Sequence, residues 1–174
     1  QLLEQLRRDN PGSFAVAAPL ANAYAERERY EQAYGILDEL PSKVAEDKKE
    51  QILRLRAGIQ RRQGRLDEAL ATIQSLIEGD RRNADYHIEA GLVLQKMERL
   101  EEAEKHYRRA LELAPEDPES YNTLGYFYAE TGQKLNEALD LIGKALELKP
   151  NAGHIVDSLG WVYFQLGEYK KAVK

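Results

Sequence analysis

The sequence contains no cysteine. Disulfides, zinc–thiolate sites and thiol catalysis are therefore excluded, while the compartment stays open, because a cysteine-free chain is at home in the cytoplasm, the periplasm or outside the cell. Long apolar runs are also missing: none approaches the roughly 18–20 residues that span a bilayer, and no basic-then-apolar leader opens the chain. The first residue is Gln1 rather than Met, which points to a piece of a longer protein whose signal or lipid anchor would leave no trace here. Positive charge is not in excess. With 25 Lys and Arg against 30 Asp and Glu, the net charge is -5 and the pI about 5.4. That balance disfavours a general nucleic-acid or anionic-membrane binder, which needs net positive surface to neutralise phosphates. No Gly-rich phosphate loop, paired-His metal motif or nucleophile elbow is found. Neither an enzyme nor a metal or other cofactor is expected.

What is present is a folding composition, 43% hydrophobic and 32% charged over 174 residues, enough for one substantial core. The chain also repeats. Tyr-Glu-Gln-Ala ends at Ala33, Leu-Asp-Glu-Ala at Ala69, Leu-Glu-Glu-Ala at Ala103, Leu-Asn-Glu-Ala at Ala138 and Tyr-Lys-Lys-Ala at Ala172, with spacings of 36, 34, 35 and 34 residues. Each unit reads as two helices. In the fourth, Asp117 is a suitable N-cap and Pro118 suits the first turn, where a missing N–H is harmless. Tyr121, Leu124, Gly125 and Tyr128 then share one helical face, and Gly132 marks a stop. Leu135, Ala138, Leu139, Ile142, Ala145 and Leu146 form the stripe of a second helix, and Pro150 ends the unit. The small Gly125 and Ala138 let two helix backbones approach closely.

These residues resemble the tetratricopeptide repeat (TPR), whose first helix carries Trp-x2-Leu-Gly-x2-Tyr and whose second carries Ala-x3-Phe-x2-Ala-x4-Pro. Tyr121, Leu124, Gly125, Tyr128, Ala138, Ile142, Ala145 and Pro150 match. So do His87, Ala90, Gly91, Leu94, Ala103, Tyr107, Ala110 and Pro115 in the third unit, and Val156, Leu159, Gly160, Tyr163 and Ala172 in the fifth. The first unit is looser (Ala17, Leu20, Ala21, Tyr24, Ala33, Leu37, Leu40). The second is weakest, with Arg56 and Ala57 in place of Leu-Gly and Arg81 in place of Pro. The resemblance implies an all-α solenoid of antiparallel helix pairs stacked in a right-handed superhelix, as one domain. Residues 1–13 would close a preceding repeat on Leu3, Leu6 and Pro11. Repeats would follow at 14–49, 50–83, 84–117 and 118–152, with a truncated fifth at 153–174, giving about ten helices. Neither end shows the polar cap of a solenoid terminus. Pro19 falls inside the first helix of repeat one, which predicts a kink or a start nearer Pro19. The link from Leu40 to about Asp47 is two residues longer than the repeat needs.

In the family it resembles, first helices line the concave face. Ile88, Leu92 and Gln95, then Asn122, Tyr126 and Glu130, then Asp157, Trp161, Phe164 and Gln165 are the candidate partner-binding residues, with Leu92, Tyr126 and Trp161 in a row. Such an apolar strip beside polar groups suits an extended peptide or an amphipathic helix. The competing reading of Trp161, Phe164 and Tyr126 is packing within the solenoid. Arg54, Arg56, Arg61, Arg62 and Arg65 crowd the first helix of repeat two. Arg54, Arg61 and Arg62 could receive an acidic ligand, or the cluster could be a solvated face paired with Asp47, Glu50 and Glu68. Chaperone-binding members of the family use a Lys/Asn clamp on neighbouring first helices. The amides available here, Asn22 and Asn122, lie three units apart, so no such clamp is predicted. His87, His106 and His154 read as isolated, with His87 in a packing position. Glu101 and Glu102 read as helix-start residues that suit its positive end. The leading function is an adaptor that binds a partner protein or peptide; the alternatives are a homo-oligomeric array and the regulatory arm of an enzyme. The last two units are similar to those of bacterial TPR proteins, some of them envelope lipoproteins, which implies a bacterial envelope location with the cytoplasm as the alternative.

Overall fold

The computed structural model describes residues 2–40 and 48–172, and among them every regular element is a helix. Eleven helices follow in order: α1 (Leu2–Asp9), α2 (Phe14–Glu26), α3 (Tyr30–Glu39), α4 (Lys49–Gln63), α5 (Leu66–Gly79), α6 (Ala84–Lys96), α7 (Leu100–Leu113), α8 (Pro118–Thr131), α9 (Leu135–Leu148), α10 (Gly153–Gln165) and α11 (Tyr169–Ala172). The count exceeds the expected ten because α11 already forms a turn before Ala172. Most of the long link after Leu40 lies at residues 41–47, outside the described residues.

The same turn joins each helix pair. Glu28, Gly64, Glu98, Gly132 and Gly167 all take left-handed backbone, with φ of 59, 86, 60, 67 and 77°. The N–H one residue later reaches back five positions: Arg29 to Tyr24, Arg65 to Gln60, Arg99 to Leu94, Gln133 to Tyr128 and Glu168 to Tyr163, at 2.8–3.0 Å. This closure satisfies carbonyls that the helix end would otherwise orphan. Three of the turns are followed by an arginine that grips the residue three positions on. Arg29 donates to Gln32 at 3.1 Å, and Arg65 and Arg99 fork onto Glu68 and Glu102. Glu102 is thus a helix-start partner; the hydrogen bond from Arg99 holds its carboxyl below the ordinary value. At the start of α8, Asp117 accepts from the N–H groups of Glu119 and Ser120 at 3.3 and 2.9 Å, with Pro118 as the first helical residue.

The chain forms two compact units, Gln1–Arg81 with Lys96–Glu98, and Arg82–Gln95 with Arg99–Lys174. In unit 1, α2 packs on α1, α3 and α4 around Ala17, Ala21, Ala25, Ala33, Leu37 and Ile59. Pro19 does not mark the start of α2, which begins at Phe14 and runs through it. Pro19 and Ala15 are both exposed, so the Ala15 carbonyl that loses its helical donor can be solvated. The buried Arg7 donates to the Pro11 carbonyl and to Glu39, at 3.1 and 2.9 Å, and so ties α1 to α3.

Unit 2 is built on close crossings at glycine. A Cβ on Gly125 of α8 would lie 2.6 Å from Ile142 and 3.2 Å from the Ala138 carbonyl on α9. One on Gly91 would lie 2.5 Å from the Tyr107 ring, and one on Gly160 would lie 3.2 Å from the Ala172 carbonyl. The buried aromatics Tyr107, Phe127 and Tyr128 fill the space beside these crossings. Glu104 joins three helices by accepting from Arg108 at 2.8 Å, Tyr128 at 2.8 Å and Lys134 at 2.5 Å. Burial opposes its charge, but these donors prevail and hold its carboxyl at about 2. Burial, and then the hydrogen bond to the Glu104 carboxylate, push the Tyr128 phenol upward.

Candidate partner-binding surface

The candidate strip lies wholly in unit 2, on α6, α8 and α10. Helical spacing puts packing residues on one side of each helix, against α7 and α9. The residues between them are left to the other side: Leu92 is 36% exposed, Tyr126 41%, Trp161 38% and Phe164 48%. Asn122 stands four residues before Tyr126, and Asp157 four before Trp161, so each pair shares a helical face. Trp161 stacks on Phe164 with ring centroids 5.2 Å apart and planes 9° from parallel, and Phe164 meets Tyr169 edge-on at 5.5 Å. Tyr126 has no ring partner among the described residues.

Three polar members of the strip are engaged inside the unit. Gln95 donates to Glu130 and accepts from Tyr107 at 2.8 Å. Gln165 donates to the Ala129 carbonyl at 3.0 Å, a bond from α10 to α8. Ile88 is half-buried. Two acceptors are unmet: the buried Asn122 Oδ1 has no hydrogen-bond donor, and the exposed Asp157 carboxylate has no partner among the described residues. Asp157, Trp161, Phe164 and Val156 line one cleft of about 760 Å³. Val156, aligned with a packing position in the sequence, is exposed instead.

The basic cluster of unit 1 does not act as one group. Arg56 pairs with Asp38 and lies 5.7 Å from the centre of the Tyr34 ring. Arg65 pairs with Glu68 at 2.5 Å. Arg54 is half-buried and engaged. Arg61 and Arg62, in the last turn of α4, are exposed with no side-chain ion pair among the described residues.

The histidines are not isolated, contrary to the sequence reading. His87 on α6 and His106 on α7 face each other with Nδ1 atoms 3.1 Å apart and ring centroids 5.2 Å apart. Burial, and then the neighbouring His87, push the His106 imidazole below its ordinary value, partly offset by Glu102. The signal was in the sequence: His87 sits on the row that packs on the second helix, and His106 adjoins the packing residue Tyr107. His154 meets Glu119 at 2.9 Å, where Lys149 also binds.

Family models described as tetratricopeptide repeat match residues 1–59, 84–117 and 106–140. The chain is a tetratricopeptide-repeat protein. Among solved structures, this TPR chain is similar to BtubC from P. vanneervenii, at 22% identity and TM-score 0.71, over 98% of this chain and 81% of that one. It is also similar to YrrB, described as a TPR protein with an unusual peptide-binding site, at 20% identity and TM-score 0.58, over 99% and 88%. MamA from Desulfovibrio magneticus RS-1 matches at 20% identity and TM-score 0.64, over 90% and 89%. Likenesses at this identity establish the fold. No curated protein matches the sequence. TPR repeats are protein-interaction modules and not catalysts.

Proposed function

We propose that this TPR protein is an interaction scaffold whose unit 2 receives a peptide or helix of a partner protein on the strip formed by Leu92, Tyr126, Trp161 and Phe164. One observation carries the reading. Four large apolar side chains, each more than a third exposed, lie on the first helices of successive repeats, while the packing positions of the same helices are consumed by the core. Large aromatic area at a surface is what hot spots of protein interfaces are made of, and the adjoining amides and carboxylates can fix register. That YrrB binds peptide supports such a use of the fold.

The test is a selection of peptides from a random displayed library on the folded protein, followed by titration of the selected peptides. The single tryptophan, Trp161, reports binding by its fluorescence. Selected peptides should shift its emission saturably, and Tyr126→Ala should weaken them by roughly tenfold or more, as for an interface hot spot. Binders indifferent to Tyr126→Ala would move the site off the strip. A mass that rises with concentration, and falls back in Trp161→Ala, would make a second copy of the chain the occupant.

A further inference from the structure

We infer that the segment received on unit 2 is cationic, with a lysine or arginine seated between the Asp157 carboxylate and the Trp161 ring. The inference rests on the groove reading above and specifies the chemistry of its occupant. The first helices α6, α8 and α10 carry five carboxylates, Asp85, Glu89, Glu119, Glu130 and Asp157, against one lysine, Lys96. Lys96 belongs to unit 1, where it donates to the Arg61 carbonyl. Bases are not scarce in unit 2: Lys105, Arg108, Arg109 and Lys144 all sit on the second helices α7 and α9.

The strip carries unmet acceptors. Among the described residues the exposed Asp157 has no partner and the buried Asn122 Oδ1 has no donor. Glu130 receives the neutral amide of Gln95, which leaves its charge uncompensated. Lys171 lines the Asp157 cleft but is committed to Glu168 and lies over Tyr163. An incoming ammonium or guanidinium would meet a free carboxylate and an exposed indole in one cleft, and aromatic faces attract cations. A glutamate or a chain-terminal carboxylate would meet the like charge of Asp157, and the cation of the cleft, Lys171, is already paired with Glu168, so a basic segment is selected over an acidic one.

The library selection decides this with one further variant, Asp157→Asn. Asp157 makes no hydrogen bond or ion pair among the described residues, so the variant should leave the urea midpoint unchanged. Peptides dependent on Tyr126 should be enriched in lysine and arginine. Their affinity should fall roughly 2- to 5-fold in Asp157→Asn, the worth of an exposed ion pair, since the cation–π contact to Trp161 remains, and should weaken as salt is raised. Strip-dependent peptides without a basic bias, or with affinity unchanged in Asp157→Asn, would overturn the inference and leave the groove reading standing. Should no selected peptide depend on Tyr126 or Trp161, both fall together.

Discussion

Replacing Gly125 by alanine places one carbon where α8 crosses α9, 2.6 Å from an Ile142 side-chain carbon and 3.2 Å from the Ala138 carbonyl oxygen. Carbon atoms pack favourably at about 3.5–4.0 Å, so something must move by nearly an ångström. Ile142 is fully buried, which leaves it no free space to turn into, and the carbonyl is fixed by the helix. Overpacking of this kind costs about 1–3 kcal/mol. Alanine returns up to about 1 kcal/mol of helix propensity, so the net expectation is a loss of up to about 2 kcal/mol, centred on about 1 kcal/mol. Gly143 on α9 is the control, because a Cβ there meets nothing within 4 Å and alanine should raise stability by about 0.5–1 kcal/mol. In a protein of this size each kcal/mol moves Tm by about 2–4 °C, so at the central values the two variants should differ by about 3–8 °C, in opposite directions from the parent. Urea unfolding followed by far-UV circular dichroism measures the same difference, with the slope m checked for constancy, since repeat arrays can lose cooperativity. If Gly125→Ala gained stability as Gly143→Ala does, the close crossing would not be what requires glycine there.

Glu98 holds a left-handed turn with φ of 60°, where Gly132 and Gly167 show what the turn prefers. Glu98→Gly should therefore stabilise by about 0.5–1 kcal/mol, read as a higher urea midpoint, and a drop would show that the Glu98 side chain matters more than its backbone. The His106 imidazole is depressed in the fold, so below pH about 6.5 the unfolded chain binds the proton first. Stability should then decline as pH falls from that value and level off once the folded imidazole is also protonated. Urea midpoints at pH 7.5 and 5.5 should differ less in His106→Gln than in the parent; an equal difference would place the titration elsewhere.

The helices were legible because the sequence announces them twice, by an apolar stripe at helical spacing and by the near-regular return of one alanine. Asp117, Pro118 and Gly132 act in the structure as capping chemistry requires. The turns at Glu28 and Glu98 were not legible, because a glutamate gives no sign of left-handed backbone; the period itself imposes it, by placing both residues where other repeats have glycine. Pro19 left two readings open, a helix running through it or one starting near it, because the sequence does not say which side of a helix is wet; α2 runs through it. The histidine pair was missed for a related reason: residues nineteen apart meet only through the crossing of α6 on α7.

The same comparison separates what the repeat fixes from what it leaves free. Packing rows are filled alike in repeats three and four, with Gly91 and Gly125 against Tyr107 and Ile142. Charge is not filled alike. Helix α4 carries Lys49, Arg54, Arg56, Arg61 and Arg62 against Glu50 alone, whereas α6, α8 and α10 carry five carboxylates and one lysine. These are all first helices, and charges such as Arg61, Arg62 and Asp157 are exposed, so packing does not set their signs. Internal pairing accounts for part of the basic set, since Arg56 is held by Asp38. It does not account for Asp157, which has no partner among the described residues and yet stands beside exposed aromatics. A charge that the frame does not require and the fold does not neutralise is a property of the surface, and on unit 2 it selects for a partner of the opposite sign.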